Sequence, residues 1–200
     1  MAAKIPPAIK SAFKTSSVLR TRDLEAHGIW RAKLRDYVEQ GVLSKVGRGL
    51  YTRTGLKIGE NHSLAEAGKR APGATVCLLS ALRFHGLTSQ QPHEIWLAVD
   101  VKARTPKAAP LAFRVVRFGG AALTKGREEH VIEGVPVKIY NPAKTVADCF
   151  KFRNKIGLDV ALEALRETWR ARRCSIAELM RYARVCRVAN VMRPYLESLT

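Results

Sequence analysis

The chain has 200 residues, and its 35 Lys and Arg residues against 17 Asp and Glu residues give a formal net charge of +18. Hydrophobic residues make up 46% of the sequence, which is enough for a packed core and argues against a disordered basic tail. A folded protein with this charge is expected to bind a polyanion, either nucleic acid or an anionic membrane surface.

The sequence also excludes several classes of protein. No apolar run approaches the roughly 18–20 residues of a transmembrane helix, and residues 1–14 lack the apolar stretch of a signal peptide. We therefore expect a cytoplasmic protein. The cysteines lie far apart without a Cys-x-x-Cys pair, which favours reduced core residues over zinc ligands, so we expect neither a metal nor a cofactor. These cysteines are Cys77, Cys149, Cys174 and Cys186.

The first unit, residues 1–57, is predicted to be a winged helix-turn-helix domain. Residues 5–13 have helical spacing, residues 22–28 predict a short helix that ends at a glycine, and residues 29–40 predict a second helix that ends at another. Two β-prone runs within residues 42–53, separated by a Gly-Arg-Gly turn, predict a hairpin. The order of helices and hairpin is that of a winged helix.

Charge in this unit indicates DNA as the polyanion. Residues 1–57 contain twelve basic and four acidic residues, a net charge of +8. A winged helix docks its second helix-turn-helix helix in the major groove, where Arg reads guanine while Lys or Arg holds phosphate. The predicted DNA-binding residues are Thr21, Arg22, Arg31, Lys33, Arg35, Lys45, Arg48 and Arg53.

The sequence predicts specific roles for two residues of this unit, Arg48 and Trp30. Arg48 lies at the tip of the wing between two glycines, where a side chain has little packing to do, and it is the clearest single candidate for a phosphate contact. Trp30 falls on the same helical-wheel face as Leu34 and Val38, so we expect it in the core rather than stacked on DNA.

The second unit, residues 62–200, is predicted to be an α+β domain, and residues 57–61 are predicted to be the linker that precedes it. From residue 141 onward the apolar spacing is helical, with Asn141 as N-cap and Pro142 at the first helical position. The predicted fold class is therefore α+β, an N-terminal winged helix-turn-helix followed by a C-terminal domain of a small β-sheet packed with several α-helices. The predicted strands of the C-terminal domain are residues 75–79, 94–99, 113–118 and a hairpin over 130–140.

The spacing of apolar residues and glycines in both units matches a pattern found in a known family. In the second unit the pattern runs through residues 80–87, 134–137 and 142–148. Together with the first unit, these residues resemble the AbiEi antitoxin family, and the resemblance covers most of the chain. The matching residues of the first unit are Thr21, Leu24, Gly28, Leu34, Val38, Gly41, Leu43, Val46, Arg48, Gly49 and Tyr51.

The resemblance implies a function and two partners. Family members are cytoplasmic DNA-binding antitoxins of type IV toxin–antitoxin operons linked to abortive phage infection. Their winged helix represses the operon by binding inverted repeats in promoter DNA. Their C-terminal domain opposes a nucleotidyltransferase-like toxin, without necessarily forming a stable complex. For this chain the resemblance implies an autoregulating repressor and antitoxin that is not an enzyme.

A second basic region lies outside the winged helix. Residues 101–127 contain seven basic residues and no acidic one, and residues 166–193 contain eight Arg residues against two Glu residues. We hypothesise that the C-terminal domain also contacts the DNA backbone or an RNA. The candidate residues are Lys102, Arg104, Lys107, Arg172 and Arg173.

Two patterns that suggest catalysis are rejected. Lys144 and Thr145 resemble the end of a phosphate-binding loop, but Pro and Ala precede them in place of the glycine-rich segment. Ser80, His85 and Asp148 have the residue types of a hydrolase triad, but no nucleophile elbow surrounds the serine. We interpret Ser80 as a helix cap and expect Thr145 and Asp148 to fix their helix against the sheet.

An alternative function is a nuclease targeted by the winged helix. Glu128, Glu129 and Glu133 lie close together in the sequence, but no further carboxylate signature surrounds them, and we interpret them as a solvated loop and hairpin edge. A second alternative is an RNA-binding protein. An assay with divalent metal and plasmid DNA would identify the first, and selective retention of RNA would identify the second.

Overall fold

The computed structural model describes residues 5–106 and 111–199, and the chain divides into two compact units. The described part of the first unit comprises residues 5–72, 111 and 130–137, and that of the second comprises residues 73–106, 112–129 and 138–199. This division differs from the predicted boundary at residues 57–62, because the helix after the linker and the hairpin tip group with the first unit. That residues 1–57 fold independently stays a prediction.

The first unit confirms the predicted winged helix. Its three-stranded sheet has the order β1-β3-β2, in which both pairs are antiparallel, with Leu19 opposite Tyr51 and Leu43 opposite Arg53. The helices α2 and α3 form the helix-turn-helix, and β2 and β3 form the wing. The elements are α1 (Pro7–Ala12), β1 (Leu19–Arg20), α2 (Thr21–Glu25), α3 (Arg31–Glu39), β2 (Leu43–Gly47), β3 (Leu50–Arg53) and α4 (His62–Arg70).

An apolar core fixes the helix-turn-helix. Leu24 of α2, Ile29 of the turn and Leu34 of α3 are each 2% exposed or less and pack in one cluster with Ile9. Gly28 ends the turn after α2 with a φ of +75°, a conformation that glycine adopts without the steric cost of a side chain. The burial of these apolar side chains and the backbone conformation of Gly28 therefore hold α2 and α3 close together.

The tip of the β-hairpin over residues 130–137 belongs to the first unit and approaches its backbone closely. Gly134 has a φ of +76°, and a Cβ atom at this position would lie 1.6 Å from the carbonyl oxygen of Thr15. The backbone amide of Ser17 donates to the carbonyl of Glu133 at 3.0 Å. The Glu133 carboxylate accepts from the Gly59 amide at 2.7 Å and from His62 at 2.6 Å. Glu133 is therefore a structural residue, and its assignment to a solvated edge was wrong.

The second unit contains most of a five-stranded sheet with the order β6-β5-β4-β8-β7. Strand β4 is antiparallel to β5 and parallel to β8, and β5 is parallel to β6. The α+β class is confirmed. The elements are β4 (Thr75–Val76), α5 (Leu78–His85), β5 (Ile95–Asp100), β6 (Phe113–Phe118), α6 (Gly120–Thr124), β7 (Arg127–Ile132), β8 (Val135–Tyr140), α7 (Pro142–Lys151), α8 (Arg153–Ile156), α9 (Leu158–Arg170), α10 (Ile176–Cys186) and α11 (Ala189–Glu197).

One predicted strand is shorter than expected. The apolar run over residues 75–79 continues as helix α5 from Leu78, because a short apolar run does not distinguish a buried strand from a buried helix. The Ser80 hydroxyl accepts from the backbone amide of Trp96 at 2.9 Å. Ser80 therefore bonds to β5 from inside the helix, and the expectation that it caps the helix was wrong.

A charged pair lies in the core of the second unit. Lys144 and Asp148 of α7 are both 0% exposed, and the Lys144 Nζ lies 2.5 Å from the Asp148 Oδ2. The same Nζ lies 4.1 Å from the ring centroid of Tyr140, and the Cys186 thiol donates to Asp148 at 3.2 Å. Burial raises the pKa of Asp148, and the ammonium of Lys144 opposes that rise.

The hydroxyl of Thr145 donates to the carbonyl of Tyr140 at 3.1 Å, which confirms that Thr145 ties α7 to the sheet. Asp148 instead bonds within the helical layer, to Lys144 and to Cys186 of α10.

None of the helices in the described part of the chain has the length and apolar composition needed to cross a bilayer.

Candidate nucleic-acid interface

Helix α3 carries its cations on the exposed side. Leu34 is its buried residue, whereas Arg31, Lys33 and Arg35 are all exposed. The Arg35 Nε donates to the Glu39 carboxylate at 2.7 Å, one turn along the same helix. Arg31 and Lys33 are therefore the better candidates for base or phosphate contacts, because the guanidinium of Arg35 is already held by Glu39.

Trp30 lies outside the core, and the helical-wheel expectation was wrong. The residue is 65% exposed, and its backbone is extended, with φ −69° and ψ 146°, because it is the N-cap of α3 rather than a helical residue. A wheel applies only to residues with helical geometry. Trp30 therefore presents an aromatic ring to solvent directly before Arg31, where it can stack on a nucleotide or contact the DNA backbone.

The wing has the predicted shape at its tip. Gly47 pairs with Leu50 across a two-residue turn made by Arg48 and Gly49, and Gly49 has a φ of +66°. Lys45 and Arg48 are exposed. Arg53 is half-buried, and its Nε lies inside the unit. Of the three wing cations, Arg48 and Lys45 therefore fit the predicted phosphate role better than Arg53.

The start of α2 and the wing tip meet at a basic cavity of about 520 Å³. The backbone amide of Thr21 donates to the carbonyl of Gly49 at 3.0 Å, and Arg20 pairs with Leu50 in the sheet. These bonds join α2 to the wing and bring three of the predicted residues, Thr21, Arg22 and Arg48, to one site. The cavity is lined by Arg20, Thr21, Arg22, Arg48, Gly49, Leu50, Lys69 and Arg70.

Hydrogen bonds hold the cavity's cations in place. Asp23 accepts from the Arg20 backbone amide at 2.9 Å and from the Lys69 ammonium at 3.0 Å. The guanidinium of Arg20 donates to the carbonyl of Lys69. Burial alone would raise the pKa of Asp23, but the hydrogen bonds from Arg20 and Lys69 and the charges of Lys69 and Arg22 outweigh it and lower that pKa. Asp23 is therefore ionised at neutral pH.

Three cations of this cavity are absent from the residues predicted from the sequence, namely Arg20, Lys69 and Arg70. We assigned Lys69 and Arg70 to the second domain, and no pattern relates a helix end to a wing 20 residues earlier. The Arg70 guanidinium lies 2.8 Å from the position of a Cβ built on Gly47. Gly47 is therefore the sequence signal for this contact, because a glycine within a strand can mark the close approach of another group.

The second basic region is divided between exposed and structural residues. Lys102, Arg104, Arg172 and Arg173 are exposed, whereas Lys107 lies outside the described residues. Arg117 instead donates to the carbonyls of Asp100, Val101 and Ala103 at 2.9–3.2 Å. That guanidinium holds the backbone of the loop on which Lys102 and Arg104 lie. Within the residues that the structure describes, these candidates do not line a common cavity like the basic cavity of the first unit.

The residues considered for catalysis have separate structural partners. The His85 Nε2 lies 2.8 Å from the carbonyl oxygen of Tyr140, whereas Ser80 bonds to Trp96 and Asp148 bonds to Lys144. Across residues 5–106 and 111–199, no group of three or more His, Cys, Asp or Glu side chains has the arrangement of a metal site. The arrangement of these residues therefore offers no nucleophile–base pair.

Comparison with known proteins gives two matches. The crystal structure of the RV2827C protein from Mycobacterium tuberculosis matches with a TM-score of 0.65 and 18% sequence identity, over 90% of this chain and 73% of that chain. At this identity the likeness concerns the fold alone. A search of curated proteins found no match. Residues 8–54, which span the winged helix from α1 to β3, match the family model described as "Transcriptional regulator, AbiEi antitoxin", and this similarity concerns the winged-helix segment of the chain.

Proposed function

We propose that this protein is a sequence-specific DNA-binding transcriptional repressor and antitoxin of a toxin–antitoxin operon linked to abortive infection. In this proposal it binds inverted repeats in the promoter of its own operon and acts in the cytoplasm. It opposes a nucleotidyltransferase-like toxin through the second unit, without catalysis and without needing a stable complex.

One observation carries the DNA-binding part of the proposal. The segment that matches the regulator family presents Arg31 and Lys33 on the exposed side of α3, and it presents Arg22 and Arg48 at one cavity beside the wing. In a winged helix this arrangement allows α3 to read base edges while the cations beside it bind phosphates. Base readout and backbone binding are thus assigned to different side chains of one unit.

The experiment is a binding titration of the full chain with two duplexes of equal length. One carries the promoter region upstream of its own gene, and the other is a scrambled version of that sequence. We expect tighter binding to the promoter duplex by at least about a thousandfold at physiological salt. Equal affinity for both duplexes at every salt concentration would contradict sequence-specific repression.

The antitoxin part requires a test in cells. A nucleotidyltransferase-like reading frame beside this gene is expected to arrest growth when expressed alone and to be tolerated when this chain is co-expressed. A variant that lacks DNA binding through Arg31→Gln and Lys33→Gln is expected to keep this protection, because repression is assigned to the first unit and antitoxicity to the second. Loss of protection in that variant would show that growth rescue is only transcriptional.

The absence of catalysis is part of the proposal. Incubation of the full chain with plasmid DNA and Mg²⁺ or Mn²⁺ is expected to leave the plasmid supercoiled, with a known nuclease as positive control. Cleavage that persists through a second purification step would favour the alternative of a nuclease with a winged-helix targeting module.

A further inference from the structure

The basic cavity beside the wing receives charge from three separate segments of the first unit. Arg20 and Arg22 come from the junction of β1 and α2, Arg48 comes from the wing turn, and Lys69 and Arg70 come from the end of α4. The carboxylates that pair with these cations are Asp23 and Glu66. The described lining residues include five cations and no carboxylate, so the cavity carries an excess of positive charge.

The end of α4 is built into this cavity by specific contacts. Lys69 is bonded to Asp23 at 3.0 Å, with 19% of the lysine side chain and 27% of the aspartate side chain exposed. Arg70 is only 6% exposed in its side chain and lies 3.6 Å from Glu66. Both cations are partly desolvated and oriented before any ligand arrives. Binding of an anion therefore costs less free energy for the ordering of side chains here than at mobile surface lysines.

The lining identifies the chemistry of the ligand. Leu50 is the apolar side chain among the lining residues, and most of the others are Arg or Lys. Pockets for apolar small molecules are lined mainly by hydrophobic and aromatic side chains. A phosphate group instead offers several acceptor oxygens, which Arg can bind bidentately and Lys can bind as a point charge.

We propose that this cavity is a phosphate-binding site in which Lys69 and Arg70 of α4 act together with Arg22 and Arg48, and that the phosphate belongs to the backbone of bound DNA. The inference rests on the proposed function and extends it, because α4 lies outside residues 8–54. The footprint of the regulator on DNA then includes a helix beyond the winged helix itself. The DNA backbone is the favoured source of the phosphate because the cavity adjoins the wing tip.

Two substitutions with opposite expected effects test the proposal. Lys69→Gln removes one cation, and we expect it to weaken binding by about three- to tenfold at about 50 mM salt and to lower the salt slope by about 0.9. Asp23→Asn removes the carboxylate that holds Lys69 but keeps an oxygen to accept from the Arg20 amide, and we expect it to tighten binding. Both effects should be equal for the promoter and scrambled duplexes.

Two further variants are controls. Lys69→Arg keeps the charge and should retain most of the affinity. Lys10→Gln removes an exposed lysine of α1 that does not line the cavity, and it should leave both the affinity and the salt slope at the wild-type value. Thermal unfolding of each variant shows whether a loss of binding comes from a loss of folded protein.

The possible outcomes separate this inference from the proposed function. If the wild type binds duplex DNA and neither Lys69→Gln nor Asp23→Asn changes the affinity, the phosphate site is wrong while DNA binding stands. If both substitutions weaken binding equally, Lys69 and Asp23 act only through folding, and the proposal is again wrong.

If the wild type binds no duplex at all, the proposed function fails, and calorimetry with inorganic pyrophosphate tests the cavity alone. Binding of pyrophosphate that Lys69→Gln abolishes would retain the phosphate site with a free anion as its source. Absence of pyrophosphate binding in that case, or binding that Lys69→Gln leaves unchanged, would overturn the proposal.

Discussion

The two basic regions of this protein use their charge differently. In the first unit, cations from β1, α2, the wing and α4 line a single cavity. In the second unit, several arginines of the basic segments bind their own chain. Arg117 donates to three backbone carbonyls, Arg114 pairs with Glu94 at 3.2 Å, and Arg170 pairs with Glu167 at 2.9 Å. A high local charge therefore indicates a binding site only where tertiary structure brings the cations to one place.

The contrast extends to the core. Lys144 of the second unit has a buried carboxylate as its partner, whereas the cations of α3 and the wing tip are exposed. A buried charge without a partner is costly, so this lysine is a structural residue despite its resemblance to the end of a phosphate-binding loop. Substitutions at both kinds of position test this difference between structural and ligand-binding cations.

The largest effect is expected at the buried pair. Lys144→Met leaves Asp148 buried without its ammonium partner, and we expect the free energy of unfolding to fall by about 3–5 kcal/mol. The double variant Lys144→Met, Asp148→Leu removes both charges and should recover much of that loss. Urea unfolding monitored by circular dichroism measures both. A loss below about 1 kcal/mol in the single variant would show that the pair is not the structural element described here.

The next effect is expected on α3. Arg31→Gln or Lys33→Gln should each reduce discrimination between the promoter duplex and a duplex with one altered base pair by about 1–3 kcal/mol, if that side chain reads a base. Titrations of a set of single-base-pair variants measure this loss. Arg35→Gln is the matched control on the same helix, and we expect a smaller change because Arg35 is paired with Glu39. A uniform loss across all duplexes would assign these residues to phosphates.

A smaller effect is expected at the wing tip. Arg48→Ala should weaken binding to every duplex and lower the salt slope by about 0.9, the contribution of one phosphate contact. Binding isotherms at four or more salt concentrations measure the slope. A change in sequence preference at an unchanged slope would show that Arg48 reads a base instead.

The smallest effect is expected in the second unit. Replacement of Arg172 and Arg173 by Gln, or of Lys102 and Arg104 by Gln, should weaken binding of DNA or RNA at low ionic strength only. At about 0.15 M salt, exposed charges are screened beyond about 8 Å, and the difference should disappear. Filter binding of duplex DNA and of single-stranded RNA at both salt concentrations measures it. Wild-type affinity for both nucleic acids at low salt would contradict a second contact surface.

Much of the fold could be predicted because its signals are local. The glycines at positions 28 and 134 have φ values of +75° and +76°, and glycine at a turn is a strong sequence signal. The capping box of Ser175 and Glu178 begins α10 as their spacing predicts. Asn141 accepts from the backbone amide of Lys144 as an N-cap. Each of these features depends on residues a few positions apart.

The candidate site was predicted only in part because it depends on distant contacts. Arg22, Arg31 and Arg48 were identified from the position of their elements in the winged helix. Lys69 and Arg70 were assigned to another domain, because residues 57–61 have the composition of a linker. Trp30 was placed in the core because the wheel treated it as helical, although it precedes the helix.

The sequence by itself indicated most of the helices and strands, the winged-helix segment and the net charge of +18. Tertiary structure alone decided which cations share a cavity and which are structural. Elements form through hydrogen bonds and side-chain spacing within a few residues, whereas a cavity forms where segments far apart in the chain pack together. Lys69 and Lys144 have the same chemistry, and only their surroundings assign one to the basic cavity and the other to the core.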